Sequence, residues 1–195
     1  MDPSPFEARS RRLLELLRQF SFEKKPVTLA SGKKSDFYID CRRVALTAEG
    51  HFLIGWLMGS SIRSRYPEVR GVGGMTMGAD PLVSATSVLS FLGNGSPLEA
   101  FYVRKKAKEH GTAQWVESSA LLEPGSQVAL LEDVVTTGGS TLKAIERATA
   151  HGFEVRCVLA LVDRCEGGAR SISEQAEFQA LFTRHDFMPE RRATD

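Results

Sequence analysis

From residue 128 the sequence reads "VALLEDVVTTGGST". An apolar run meets two acids, Glu132 and Asp133, and passes into residues that offer mostly backbone and hydroxyl groups. If the apolar run is a strand, the acids sit at its carboxyl end, which is where open parallel sheets bind ligands. Thr137, Gly138, Gly139 and Ser140 would then open a helix, whose free N–H groups and positive dipole end favour an anion. The glycines allow positive φ and close backbone approach, while Thr136, Thr137, Ser140 and Thr141 add hydroxyl donors. Acids that accept from sugar hydroxyls, followed by a nest for a phosphate on the same sugar, would together recognise a ribose 5-phosphate. The plainer reading is an ordinary strand-to-helix turn with polar ends. The stretch matches neither G-x-x-x-x-G-K-[ST] nor G-x-G-x-x-G.

A second group of residues with chemical potential is the basic cluster from Arg104 to Lys108, followed by His110, Gly111 and Thr112. Convergent cations could meet a polyanion, and the Gly-Thr pair suits a hinge. By itself such a run reads as a solvated surface loop or a weak nucleic-acid patch.

The surrounding pattern says what must position these groups. Leu13, Leu14, Leu16, Leu17 and Phe20 recur at helical spacing among arginines, so an amphipathic helix is expected over the first twenty residues or so. Two strand-like runs then flank the polar turn Ser31-Gly32-Lys33-Lys34-Ser35, as in a hairpin. Thr47 is a candidate N-cap for a helix that Pro67 stops. Beyond it, "VRGVGG", "EAFYVR", "QVALLE" and "EVRCVLALVD" are short apolar runs separated by helical patterns at 81 to 92 and 140 to 150, the latter closed by Gly152. Strands alternating with helices predict a parallel sheet covered on both faces. "ALFTRHDF" reads as a last strand and "MPERRATD" as a frayed tail. The expected organisation is a single domain over 1–195: an attachment to about residue 45, an α/β core over about 46–187, and a tail over 188–195.

A chain of 195 residues, 42% of them hydrophobic, fits one such core. A net charge of +1 provides no global field toward nucleic acid or an anionic membrane. The N-terminal segment carries charges where a secretory signal would need apolar residues, and no apolar stretch is long enough to span a bilayer. A soluble, cytoplasmic protein is expected. Cys41, Cys157 and Cys165 suggest neither a disulfide framework nor a zinc site. Met75 and Met77 read as core fillers.

These motifs together resemble a known family. "LLEDVVTTGGST" is similar to the phosphoribosyl pyrophosphate (PRPP) motif of type I phosphoribosyltransferases. "FYVRKKAKEHGTAQW" resembles the mobile catalytic loop of the orotate phosphoribosyltransferases, through Arg104, Lys105, Lys108, Glu109, His110 and Gly111. "SGKKSDFYIDCR" is similar to that family's N-terminal hairpin, and "LVDRCEGG" to the segment ending one of its core strands. Loop and hairpin together distinguish orotate enzymes from purine enzymes, which share mainly the PRPP motif.

The resemblance implies an α/β type I phosphoribosyltransferase fold, with a central parallel sheet flanked by helices and a small N-terminal hood. It implies Mg²⁺-dependent transfer of ribose 5-phosphate from PRPP to orotate, giving orotidine 5′-monophosphate and pyrophosphate in pyrimidine synthesis. Lys108, His110 and Asp133 are then the catalytic candidates, and Arg104, Lys105, Lys108 and His110 face the pyrophosphate. Glu132 and Asp133 hold the ribose hydroxyls. Thr136, Thr137, Gly138, Gly139 and Ser140 take the 5-phosphate, and Thr76 lies near the pyrophosphate. Tyr38, Ile39, Thr136 and Arg164 are assigned to orotate, Arg164 because a planar fork suits its carboxylate. A strand-end salt bridge from Arg164 to Asp163 or Glu166 is the alternative. Mg²⁺ is held mainly through PRPP, with Glu132 and Asp133 as further candidate ligands. The expected partners are the two substrates and a second copy of the chain in a homodimer with shared sites, with neither nucleic acid nor membrane. The alternatives are another acceptor base or a PRPP-sensing regulator. Many family members have a lysine where Ala30 stands and a Tyr-Lys pair where Thr76 and Met77 stand. Two cations expected toward PRPP are therefore absent.

Overall fold

The computed structural model describes residues 3–28, 34–93, 96–106 and 114–188. Helix α1 (Pro5–Leu16) begins in a capping box: the Glu7 N–H donates to Ser4 Oγ at 3.2 Å, and the Ser4 N–H donates to the Glu7 carboxylate at 2.8 Å. It buries Leu13 and Leu16 and runs on into a π-helical turn, Leu17–Ser21. The wider turn changes the phase of the apolar face. Leu17 and Ser21 are buried, whereas Phe20, expected on that face, is 45% exposed.

Strands β1 (Phe22–Thr28) and β2 (Lys34–Ile39) pair antiparallel as the expected hairpin, with Phe22 opposite Ile39. Of the expected turn, Ser31, Gly32 and Lys33 lie outside the described residues, whereas Lys34 and Ser35 already belong to β2. A single helical turn, α2 (Arg42–Ala45), leads to α3 (Ala48–Arg65). Thr47 caps α3 by accepting from the Gly50 N–H at 3.0 Å, and the helix ends at Tyr66, just before Pro67.

The α/β alternation follows: β3 (Gly71–Met75), α4 (Asp80–Leu92), β4 (Glu99–Val103), β5 (Val116–Ser118), β6 (Gln127–Val135), α5 (Gly139–Ala150), β7 (Glu154–Asp163), α6 (Gly168–Ser173) and β8 (Glu177–Thr183). The sheet order is β5-β4-β3-β6-β7-β8, parallel throughout except for the β4–β5 pair. Alternating residues of the central strands feed two cores. Leu131, Cys157 and Leu159 join one with Leu57, Val72 and Leu82, and Leu130, Val158 and Ala160 join the other with Phe101 and Ile145. Both faces of the sheet are thus covered.

The last strand differs from its reading in sequence. Strand β8 starts earlier and stops at Thr183, and "RHDF" is the helical turn α7 (Arg184–Phe187). Asp186 turns back to accept from the Thr183 N–H at 2.7 Å and so stops the extended chain. Phe187 then packs its ring 5.6 Å from Phe22 and 5.7 Å from Phe37, so the end of the core holds the hairpin down. Leu13, Leu17 and Phe37 belong to the same core cluster as Val72 and Leu131. Among the described residues no helix is long and apolar enough to cross a membrane.

Candidate active site

The two acids lie close to the carboxyl end of strand β6, which runs on through Val134 and Val135, and they have different surroundings. Glu132 is 6% exposed, and its Oε2 accepts from Thr141 Oγ1 at 2.8 Å and Ser140 Oγ at 3.1 Å. Burial, and then the charge of Asp133, push its pKa up to about 7, against the pull of the two hydroxyls. Ser140 and Thr141, which the sequence suggested as phosphate donors, therefore spend their hydroxyls on Glu132. The reason is local: both stand in the first turn of α5, directly over the end of the strand that leads into it. Asp133 is half-buried, and its Oδ1 accepts from the Val134 N–H at 2.8 Å. The loop after β3 lies close to it. A Cβ built on Gly78 would stand 2.9 Å from Asp133 Oδ1.

The turn from β6 to α5 has the features of an anion nest. Gly138, the residue before the helix, takes φ 82°, and a Cβ there would meet the Gly168 carbonyl oxygen at 3.2 Å. The space beside Gly139 is open, with nothing within 4 Å of a Cβ placed there. Thr137 is exposed and Thr136 half-buried, its carbonyl accepting from the Gly168 N–H at 3.0 Å. The first N–H groups of α5 point out of the helix end, as in any helix.

Hairpin and sheet meet in a cleft of about 620 Å³. Tyr38, Ile39, Asp40, Cys41 and Arg42 line one part of it, Met75, Thr76, Met77 and Gly78 another, and Lys105, Glu132, Asp133, Val134 and Ser140 complete it. The Thr76–Met77 peptide is cis. Of the residues predicted for the site, Tyr38, Ile39, Thr76, Lys105, Glu132, Asp133 and Ser140 therefore converge. Phe37 is fully buried, and so the neighbouring Tyr38 is the hairpin aromatic that reaches the cleft. Met75 fills core space as expected, but Met77 is 71% exposed at the cleft instead of packing inside. It lies in the turn beyond the end of β3, past the reach of the core beneath the sheet.

Other predicted residues stand apart from this cleft. The Arg104 guanidinium pairs with Glu117 Oε1 at 3.0 Å across β4 and β5. Its carbonyl accepts from Arg147 Nη1 at 2.6 Å, and its N–H donates to the Trp115 carbonyl at 2.8 Å. Arg147 also lies 3.9 Å from the centre of the Trp115 ring, so both ends of the charged segment are gathered under one side chain of α5. Arg164 is 9% exposed. Its Nη2 donates to the Phe37 carbonyl at 2.8 Å and Ser35 Oγ at 3.2 Å, and it pairs with Glu166 at 3.0 Å. The salt bridge considered in the sequence is thus present, but the same side chain ties the end of β7 to the hairpin. Its Nε is buried without a hydrogen-bond partner among the described residues. Lys108, Glu109, His110, Gly111 and Thr112 lie outside the described residues, as do Ala30 and Lys33.

Among the described residues no group of three or more His, Cys, Asp or Glu side chains could hold a metal ion. Two carboxylates beside an anion nest do match the chemistry of Mg²⁺, which takes one or two carboxylates together with substrate phosphates. Sequence reasoning missed Asp40, Cys41 and Arg42 as parts of the cleft. Nothing in the local pattern marked Asp40 or Arg42.

No protein-family model matches the chain. A protein of Sorangium cellulosum named orotate phosphoribosyltransferase is 52% identical over 180 residues, covering 92% of this chain and 93% of the relative. One of the same name from Thermosynechococcus vestitus is 45% identical over 175 residues, covering 90% and 89%. Among solved structures, the Mycobacterium tuberculosis orotate phosphoribosyltransferase in complex with Fe(III) dicitrate superposes with a TM-score of 0.77 at 36% identity, over 92% of this chain and 99% of that one. The same enzyme in complex with PRPP gives 0.73 at 33% identity, over 92% and 98%. An adenine phosphoribosyltransferase of Leishmania donovani, 16% identical with a TM-score of 0.63 over 94% and 86%, shares the fold. Identity at this level along nearly the full length of both sequences, joined to a parallel sheet that ends in this cleft, means that the chain belongs to the orotate phosphoribosyltransferase family.

Proposed function

We propose that the chain transfers the ribose 5-phosphate group of PRPP to orotate, releasing pyrophosphate and forming orotidine 5′-monophosphate. The observation that carries this reading is the cleft in which the hairpin, the loop after β3 and the acids near the end of β6 meet. Asp133 accepts hydrogen bonds from the ribose hydroxyls. Glu132, buried behind it, keeps the first turn of α5 in register through Ser140 and Thr141. The 5-phosphate sits on the N–H groups of the turn from Thr136 to Ser140, where Gly139 leaves room. Orotate lies against the backbone of Tyr38 and Ile39 beside Thr136. Its carboxylate offers Arg164 the partner that the buried Nε lacks.

Displacement at the anomeric carbon develops positive charge on the sugar and several negative charges on the departing pyrophosphate. Thr76, Lys105, Arg104, Lys108 and His110 are assigned to that leaving group, whose growing charge they stabilise. The charged segment also excludes water from the reacting sugar. In a homodimer with shared sites Arg104, Lys108 and His110 serve the neighbouring subunit's cleft while Lys105 lines its own, which accounts for Arg104 standing away from the cleft of its own subunit. Mg²⁺, held by PRPP oxygens with Asp133, supplies charge neutralisation when bound. The setting is pyrimidine synthesis in the cytoplasm. The test is to mix the protein with orotate, PRPP and Mg²⁺ and follow the loss of orotate absorbance. No turnover at high enzyme concentration would reject the assignment. Faster reaction with uracil, hypoxanthine, guanine or xanthine would move it to another base.

A further inference from the structure

Among the described residues the cleft is short of positive charge. Its β3 loop presents Thr76 and Met77, while Asp40, Glu132 and Asp133 bring carboxylates. Among the described residues lining it, the cations are Lys105 and Arg42. We propose that Arg42 is a diphosphate-binding residue, supplying from the hairpin side of the cleft a cation that the β3 loop does not provide. This rests on the phosphoribosyl transfer proposed above.

The geometry suits the task. Asp40 grips Arg42 with both carboxylate oxygens: Nε donates to Oδ1 at 2.8 Å and Nη2 to Oδ2 at 3.0 Å. The Arg42 backbone N–H adds a contact to Oδ1 at 3.2 Å. The plane of the guanidinium is therefore set, while Nη1 has no hydrogen-bond partner among the described residues. The side chain of Arg42 is 58% exposed and that of Asp40 is 20% exposed, so the clamp lies on the protein side and Nη1 remains open beside the cleft. A cation oriented before the ligand arrives loses less freedom on binding than a free lysine. Asp40 first, and Asp133 more weakly, favour the charged guanidinium, so Arg42 stands within electrostatic reach of the acid assigned to the ribose. An exposed ion pair contributes little to stability, so removing Arg42 should be felt mainly by the ligand.

Magnesium diphosphate is the probe, titrated calorimetrically into the full chain and its Arg42→Gln and Asp40→Asn variants, with the KM values for PRPP and orotate measured alongside. Arg42→Gln should weaken diphosphate binding and raise the PRPP KM on the order of tenfold or more, leaving the orotate KM within about twofold. Arg42→Lys should recover part of the loss, and it stands in if the glutamine variant fails to fold. Asp40→Asn keeps the Arg42 charge but loses the clamp, and should weaken diphosphate binding by less than Arg42→Gln does. Unchanged binding in the Arg42 variants would overturn the proposal. So would an equal loss in Asp40→Asn, which would make the pair a structural brace. Parent turnover of orotate with Arg42-independent diphosphate binding would sink this proposal alone. Arg42-dependent binding without orotate turnover would sink the transfer reading and leave the anion site standing.

Discussion

At the scale of single residues, the two neighbouring acids divide the labour of the site between burial and exposure. Ionising Glu132 places a charge where only 6% of the residue meets solvent, beside Asp133. Its carboxyl titrates near 7 in the fold and near 4.5 when unfolded. Between those values the folded state binds more protons, so its stability falls as pH rises from about 4.5 to about 7 and does not recover above that. The Glu132→Gln variant, which keeps an acceptor for Ser140 and Thr141, should lack this fall. Denaturant unfolding should find it more stable than the parent at about pH 8, by on the order of 2 kcal/mol, with the difference shrinking toward about pH 5. A parent whose stability is flat over that range would contradict the burial argument. Asp133 depends instead on the empty space at Gly78. A methyl group there would meet Asp133 Oδ1 at 2.9 Å. Gly78→Ala should therefore displace the carboxylate and weaken PRPP binding on the order of tenfold or more, since small misplacements at a reacting centre are strongly felt. PRPP titration by calorimetry would measure it, beside a melting temperature expected to move little.

At the scale of elements, the joints between strand and helix carry the site, and they were legible to different degrees. Strands β3, β4, β6 and β7 announced themselves as apolar runs because a parallel sheet buries both of their faces. Helix α3 was legible from Thr47 and Pro67, which act through local chemistry alone. The three-residue β5 and the short helices α2 and α6 are too brief to show a period, and their form is set by neighbours. The partners of polar side chains were hidden for the same reason. Ser140 and Thr141 choose Glu132 over a ligand because α5 packs onto the end of β6, and Arg164 finds the carbonyl of Phe37, distant in sequence. Gly138 is the joint where backbone and packing demands coincide. Its φ of 82° disfavours any side chain, and a Cβ would press on the Gly168 carbonyl at 3.2 Å. Gly138→Ala should cost about 1 to 3 kcal/mol of stability. Denaturant unfolding would show it, and a neutral result would mean that the turn relaxes without disturbing α6.

At the scale of the whole molecule, the cleft has a hairpin wall that comes from outside the sheet. Phe187 packs its ring against Phe22 and Phe37, and Arg164 bonds the Phe37 carbonyl, so the hood and the end of β7 are fastened at one place. Arg164 accordingly braces the hairpin wall of its own subunit's cleft from behind. Arg104 turns away from that cleft toward Glu117, with its segment rooted beneath Arg147. A site whose hairpin wall is held from within, and from which Arg104 stands away while Lys105 lines it, can be completed by a second copy related by a two-fold axis. Subunits carrying Lys108→Ala and subunits carrying Arg164→Ala should then each be inactive alone. After random exchange half of the dimers are mixed, and each mixed dimer has one site with both residues intact, so about a quarter of the parent activity should return. Arg164 also braces the hairpin, so the melting temperature of its variant must be measured first, with Arg164→Lys in reserve. Mixed dimers demonstrated with two affinity tags, yet inactive, would show that Lys108 serves its own subunit, and the shared site would have to be given up.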